Sequence, residues 1–246
     1  MSTLARKLSK GVRLLADRRF RPGLFKGVAA TIEHEAALRG YRFATVIDIG
    51  ANRGQFTLLA AGLFPDAEII AFEPLIGPYR RLFEVAAGLP HVRVVNAAIG
   101  ASRCSLAMNV SRRDDSSSLL PIGVLQREIF PKTGHDHTEE VQVGPLGDHV
   151  APDEIARPSL LKIDVQGYEL EVLKGSQDLL ERIDVIYVEA SFVELYQGQP
   201  LAEEVIDALA RQGFHEQARH NLCRDRKGRL VQADFLFERD DHRRRT

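Results

Sequence analysis

Residues Thr45–Phe56 read TVIDIGANRGQF. The apolar, β-branched run Thr45–Ile49 predicts a buried strand. Gly50-Ala51-Asn52-Arg53-Gly54 follows, and then an apolar helical pattern over Phe56, Leu58, Leu59 and Leu63. A strand that passes through glycines into a helix presents main-chain N–H groups to a nucleotide-like ligand. Gly50 can adopt backbone angles that a side chain forbids, which lets a ligand approach the chain closely. The spacing is not GxGxxG, so a dinucleotide is not the first expectation.

Working outward, Glu68–Phe72 (EIIAF) predicts a second strand, Pro78–Ala87 a helix, and His91–Ala97 a third strand. After an irregular middle the rhythm resumes. Strands are expected at Ser159–Asp164, Asp184–Glu189, from Phe214, and at Ala233–Glu238, with helices at Tyr168–Leu180 and Leu201–Gln212. This alternation predicts an α/β protein with a doubly wound, mostly parallel sheet. Between Ser111 and Thr138 no period is visible beyond an extra strand at Cys104–Val110, and Val141–Val143 suggests another. So long an irregular segment inside a domain is usually functional or disordered.

Residues 1–26 hold Arg6, Lys7, Lys10, Arg13, Arg18, Arg19, Arg21 and Lys26 against Asp17 alone, a local charge of +7. Leu4, Leu8, Val12 and Leu15 fall near helical spacing, which suits a basic amphipathic helix resting on anionic lipid or an acidic partner. A solvated arm or an oligomer contact fits the same charges. Gly27–Arg39 is expected to form a helix leading into the first strand. The organisation predicted is a basic helical N-terminal extension over 1–40 and one domain over 41–240.

Whole-chain composition is ordinary: 246 residues, 44% hydrophobic, 27% charged, net charge −1. That balance gives no argument for nucleic acid. No apolar run approaches the ~20 residues of a membrane-spanning helix, and the N-terminus lacks the apolar core of a secretory signal. The two cysteines, Cys104 and Cys223, have no metal-ligand spacing. A cytoplasmic protein, with peripheral membrane contact through residues 1–26 open, is the expectation.

Carboxylates stand at strand ends. Glu73 lies 23 residues past Gly50, a spacing that lets an acid accept hydrogen bonds from ribose hydroxyls beside the glycine turn. Alone it would read as a loop acid. Asp48, among apolar neighbours, needs partners once buried; it orients the turn, faces a cationic ligand, or is simply structural. Asp164 and Glu189 end two further strands and should face the crevice. Asp164 could accept a proton from a hydroxyl, position it, hold a divalent ion, or cap the next helix. His135 and His137 form an H-x-H in the irregular loop without a third ligand at convincing spacing, and read as solvated.

Taken together, VIDIGANRGQF, AFEP, VVNAAIG, the serine run before Leu119, LLKIDVQGYELEVLKG and YVEAS resemble the FkbM family of S-adenosylmethionine-dependent methyltransferases over roughly residues 42–238. KIDVQGYE is the most specific piece. The resemblance implies the class I methyltransferase (Rossmann-like) fold, a seven-stranded sheet with one antiparallel strand, and methyl transfer to an oxygen of a sugar or related small molecule. It implies that Gly50, Ala51, Asn52 and Gly54 hold the donor's amino-acid part, that Glu73 holds the ribose, and that Asn96 and Ala97 lie beside adenine. Asp164 would sit near the methyl group. Asp48, Phe56 and Pro74 complete the expected cofactor-binding set, and Asp164 and Glu189 are the expected catalytic pair.

Two departures stand out. Leu146-Gly147-Asp148 replaces the family's common Leu-Asp-Asp, and Gln166 stands where Glu is common. Methyl transfer from a sulfonium requires alignment and a destination for the acceptor's proton. A carboxylate could receive it if burial or a neighbouring acid raised its basicity. A divalent ion between the two acids, which no motif indicates, would instead lower the acceptor's pKa. The competing readings are a nicotinamide-dependent Rossmann oxidoreductase and a non-catalytic ligand-binding protein docked through its basic arm.

Overall fold

The computed structural model describes residues 11–240 except Arg18. The expectations for Leu4, Arg6, Lys7, Leu8, Lys10 and Arg18 lie outside the described residues. Residues 11–16 are helical, followed by the short helices α1 (Arg21–Phe25) and α2 (Glu35–Leu38). The continuous helix expected over Gly27–Arg39 is not formed. Residues 28–31 are irregular, and Ile32–His34 makes a 3₁₀ turn. Phe20, Val28, Ala30 and Leu38 in this segment are buried with Phe56, Leu59 and Val46, so packing rather than helix propensity sets its path.

Among the described residues ten strands follow: β1 (Thr45–Ile49), β2 (Glu68–Phe72), β3 (Val92–Val95), β4 (Ala98–Ile99), β5 (Cys104–Ser111), β6 (His135–Gly144), β7 (Ser159–Ile163), β8 (Val185–Ser191), β9 (Phe214–Arg224) and β10 (Leu230–Arg239). The helices among them are α3 (Gln55–Leu63), α4 (Ile76–Ala86), α5 (Val124–Ile129), α6 (Glu169–Gly175) and α7 (Ala202–Arg211). Seven strands form one sheet in the order β3-β2-β1-β7-β8-β10-β9. Five run parallel from β3 to β8, and β10 lies antiparallel to both β8 and β9. This is the seven-stranded, mostly parallel sheet with one reversed strand that the family resemblance implied.

β1 and β7 are buried at every residue. A parallel sheet covered on both faces requires such continuous burial. Alternation sorts the strands between two cores. Ile47, Ile49, Leu161, Ile163, Ile186 and Val188 share one, while Val46, Leu160, Val185, Tyr187 and Leu236 join Phe56 and Leu59 of α3 in the other. The chain builds outward from β1 to β3, then returns to lay β7 on β1's other side. That reversal opens a crevice beyond the carboxyl ends of β1 and β7.

The middle of the chain is more ordered than its sequence suggests. β5 pairs antiparallel with β6 from Cys104↔Val143 to Ser111↔His135, and β4 joins β6 in parallel, making a separate three-stranded sheet. His135 and His137 therefore stand on strand β6, exposed as expected but not in a loop. His137 is bracketed by Asp136 and Glu139, at 2.9 and 3.0 Å. Leu75, Ala98, Val110, Val141 and Val143 form the apolar patch of the small sheet. Helix α6 starts at Glu169 with Tyr168 at its N-cap, so Asp164 is not a helix cap.

Candidate functional site

The turn after β1 closes by main-chain geometry. Gly50 has φ +78°, and a Cβ placed there would lie 1.8 Å from the Asp164 carbonyl oxygen. Only glycine lets the ends of β1 and β7 come this close. The N–H groups of Gly50 and Ala51 both donate to the Phe72 carbonyl, at 3.1 and 2.9 Å. Gly54, at φ +94°, caps α3 against Leu82.

Glu73 is buried and anchored at both carboxylate oxygens. The Asn52 N–H donates to Oε2 and the Leu75 N–H to Oε1, each at 2.9 Å. Burial pushes this carboxyl up to about 7, against the pull of those two N–H groups. Asn96 Nδ2 donates to the carbonyls of Glu73 and Pro74, at 2.9 and 2.8 Å, and fixes the end of β2.

A polar row crosses the sheet face that looks toward α3. Lys162 is buried on β7, with Nζ 3.0 Å from Asp48 Oδ1, 3.1 Å from the Gly50 carbonyl and 3.8 Å from Asp164 Oδ2. It also stands 5.4 Å over the Phe56 ring. Thr57 Oγ1 donates to Asp48 Oδ2 at 2.7 Å. Burial opposes the Lys162 charge, but the carboxylates Asp48 and Asp164 outweigh it and hold the ammonium above its usual range. One strand further, Gln166 Nε2 donates to Asp164 Oδ1 and Glu189 Oε2, both at 2.8 Å. Gln232 Nε2 adds a second donor to Glu189 Oε2 at 2.6 Å. Burial, then Asp164 and Asp234, push the Glu189 carboxyl well up. Gln166 is itself held by the Tyr196 hydroxyl on Oε1 (2.8 Å) and by Ser118 Oγ on its carbonyl (2.7 Å).

These groups border or back one cleft, whose empty space is about 1010 Å³ with the open solvent at its mouth included. Gly50, Ala51, Asn52, Phe56, Glu73, Pro74, Ala97 and Asp164 all line it. Asp48, Asn96 and Glu189 stand behind its walls, tied to lining residues by the contacts above, and the Gly54 N–H donates to the carbonyl of the lining residue Ala51 at 2.8 Å. Lys162 and His34 line it too and were not foreseen. A lone lysine inside the apolar run SLLKI was the available signal, because a buried ammonium must have carboxylate partners. Among the described residues, no group of three His, Cys, Asp or Glu side chains is arranged to hold a metal ion.

Similarity to known proteins follows the same segments. Methyltransferase 1 of Beauveria bassiana is 28% identical over 153 residues, covering 54% of this chain and 58% of that protein. The 2-O-methyltransferase NoeI of Sinorhizobium fredii is 26% identical over 170 residues, 67% of this chain and 70% of its own. The hexuronic acid methyltransferase AglP of Haloferax volcanii is 28% identical over 142 residues, 58% of this chain and 54% of its own. The chain thus spans from little more than half to about seven-tenths of the length of these relatives. Among solved structures, Streptococcus pneumoniae Sp1610 in complex with S-adenosyl-L-methionine superposes with TM-score 0.50 at 11% identity. That superposition covers 86% of this chain and 73% of the other, a likeness of fold. Nothing among these similarities favours the oxidoreductase alternative. The Methyltransferase FkbM domain matches residues 48–216, from the aspartate of β1 into β9, and the chain belongs to that methyltransferase family.

Proposed function

We propose that the protein transfers a methyl group from S-adenosylmethionine to a hydroxyl of a sugar, glycan or related small metabolite. One observation carries the reading: the Gly50 turn and the buried Glu73 carboxylate border a single cleft at the sheet's reversal point. The residues fit the donor. A cradle that a Cβ would fill suits close approach by its amino-acid part, with Gly50, Ala51, Asn52 and Asp164 as contacts. Glu73 offers oxygens for two ribose hydroxyls, and Pro74, Asn96 and Ala97 would flank the adenine. Phe56 lines the inner wall, while Asp48 and Gly54 set the turn. When bound, S-adenosylmethionine supplies a methyl carbon on a positively charged sulfur.

The chain's own part is alignment and charge. Lys162 neutralises Asp48 and pulls on Asp164, so the acidic wall is held in one geometry. Glu189, tied to Asp164 through Gln166, would brace the wall behind the reacting atoms. The names of NoeI and AglP support oxygen and a sugar acid as acceptor chemistry. S-adenosylhomocysteine should raise the melting temperature, and Glu73→Ala should remove the rise. No rise at millimolar ligand would count heavily against donor binding.

The proposed catalytic unit is residues 41–240, with 1–40 as its extension, in a cytoplasmic protein. Peripheral membrane contact through residues 1–26 draws support from Val12, Leu15 and Phe25, which are 66%, 56% and 85% exposed near Arg13, Arg19 and Lys26. Vesicles containing phosphatidylserine should retain the full chain but not a chain lacking residues 1–26.

A further inference from the structure

His34 belongs to no motif, yet it sits on the cleft wall as the last residue of the Ile32–His34 turn. Its ring lies edge-on to Phe56 and Tyr187, with centroids 5.9 and 5.6 Å away. Behind it, Nδ1 is 3.1 Å from Asp234 Oδ2, 3.0 Å from the Tyr187 hydroxyl and 3.2 Å from Asn221 Nδ2. Tyr187 donates its proton to Asp234 Oδ2 at 3.0 Å, and Asn221 Nδ2 donates to the same oxygen at 2.7 Å. A bulge in the β9–β10 ladder beside Asp234, and the positive φ of Asn221, aim that amide inward.

The carboxylate of Asp234 orients the imidazole. Burial works against the Asp234 charge, but the hydrogen bonds from His34, Asn221 and Tyr187 hold this carboxyl below its usual range. An ionised carboxylate only accepts, and the Tyr187 and Asn221 hydrogens already point at it. An Nδ1–H directed at Asp234 Oδ2 completes that set of donors, and in this tautomer Nε2 keeps its lone pair.

The carboxylates on the wall are committed. Asp164 is tied to Lys162 and Gln166, Glu73 to two N–H groups, Asp114 to Arg53 and Asp115 to Arg113. Glu189 carries two amide donors behind the wall. His34 is the base whose far nitrogen is oriented and whose near nitrogen has no protein partner among the described residues.

We propose that His34 receives the acceptor's proton during methyl transfer, with Asp234 as its positioning residue. This rests on the methyl-transfer reading above. The acceptor's O–H proton passes to Nε2 as the oxygen's electron pair forms the new O–CH₃ bond. The S–CH₃ bonding pair returns to sulfur, which ends as a neutral thioether, and the imidazolium charge lies against Asp234.

Two measurements on the full chain test it. Long-range ¹H–¹⁵N spectra, assigned with His34→Gln, should show the Nδ1–H tautomer, an Nε2 signal that moves on adding S-adenosylhomocysteine, and a mixed tautomer in Asp234→Asn. An Nε2–H tautomer, or an Nε2 signal blind to that ligand, overturns the proposal. Labelled methyl transfer from S-adenosylmethionine to methyl glycosides of hexoses and hexuronic acids supplies the second. His34→Gln should lower kcat by about 10²–10⁴, with KM and S-adenosylhomocysteine affinity unchanged, and imidazole should restore turnover to His34→Ala. Turnover at the wild-type rate in His34→Gln would end the idea. Failure of S-adenosylhomocysteine to bind either form, or of every sugar to accept, would instead strike the functional reading, and the tautomer would still decide for or against His34.

Discussion

The two sides of the cleft are built by different means. One side comes from a nearly continuous stretch, β1 through the end of β2, and holds its shape with main-chain groups: the Gly50 turn, the N–H groups of Asn52 and Leu75, the Phe72 carbonyl. The other gathers side chains from distant elements through two sets of side-chain contacts, one joining Asp164, Gln166 and Tyr196 and the other His34 and Asp234. A main-chain site recognises what is constant, and a side-chain site can be altered one residue at a time. That division suits an enzyme whose donor is fixed and whose acceptor differs among relatives.

The contrast can be broken most forcefully at Gly50. Gly50→Ala drives a methyl group to within 1.8 Å of the Asp164 carbonyl at a positive φ, and should cost about 4 kcal/mol or more in urea unfolding. Wild-type stability would refute the idea that backbone approach organises the donor side. Lys162→Met comes next. It leaves Asp48 buried without its cation, and should cost about 3 kcal/mol by the same measurement.

Glu73→Ala separates binding from folding. It should weaken S-adenosylhomocysteine at least about 30-fold by calorimetry, with no comparable loss of stability, because a desolvated carboxyl is removed. The pH dependence of unfolding sharpens the same point. Glu73 and Glu169 are each raised by burial to about 7. The fold therefore binds these protons more tightly than the unfolded chain does, so the stabilisation is complete below the unfolded value and is lost as pH rises through about 7. Between pH 6 and 8 each group should remove about 1 kcal/mol, and Glu73→Gln should flatten its share of the slope. Smallest, Tyr196→Phe removes the hydroxyl that bonds Gln166 Oε1 and the Ser116 carbonyl, for about 1 kcal/mol and a change in acceptor KM rather than donor affinity.

The same division explains what could be read from the chain alone. β1, α3, β2 and β7 announce themselves because each is a short apolar run with local punctuation, and the proposed donor residues, Asn96 and Ala97 apart, lie in those runs or in the turns just beyond them. Glu73 was legible because its distance from Gly50 is set by one βαβ unit. The start of β6 was hidden: HDHTEE is polar on both faces, and it is a strand only because β5 supplies the opposite ladder. The broken path of residues 28–38 was hidden for a related reason, since contacts with α3 override a helical pattern. His34 could not be found at all. Its chemistry depends on Asp234 and Asn221, roughly two hundred residues away, and no local pattern encodes such a meeting.

The β4-β6-β5 sheet shares no ladder with the seven-stranded one. Its apolar patch packs on Leu75 beyond β2, and the loop after β5 is tied by the bridges Asn109↔Ser118 and Ile122↔Tyr196. Its outward strands can thus drift in length and chemistry without disturbing the register beneath. Descendants of one scaffold could acquire new appetites by recutting this awning, while the hearth under it stays as it was.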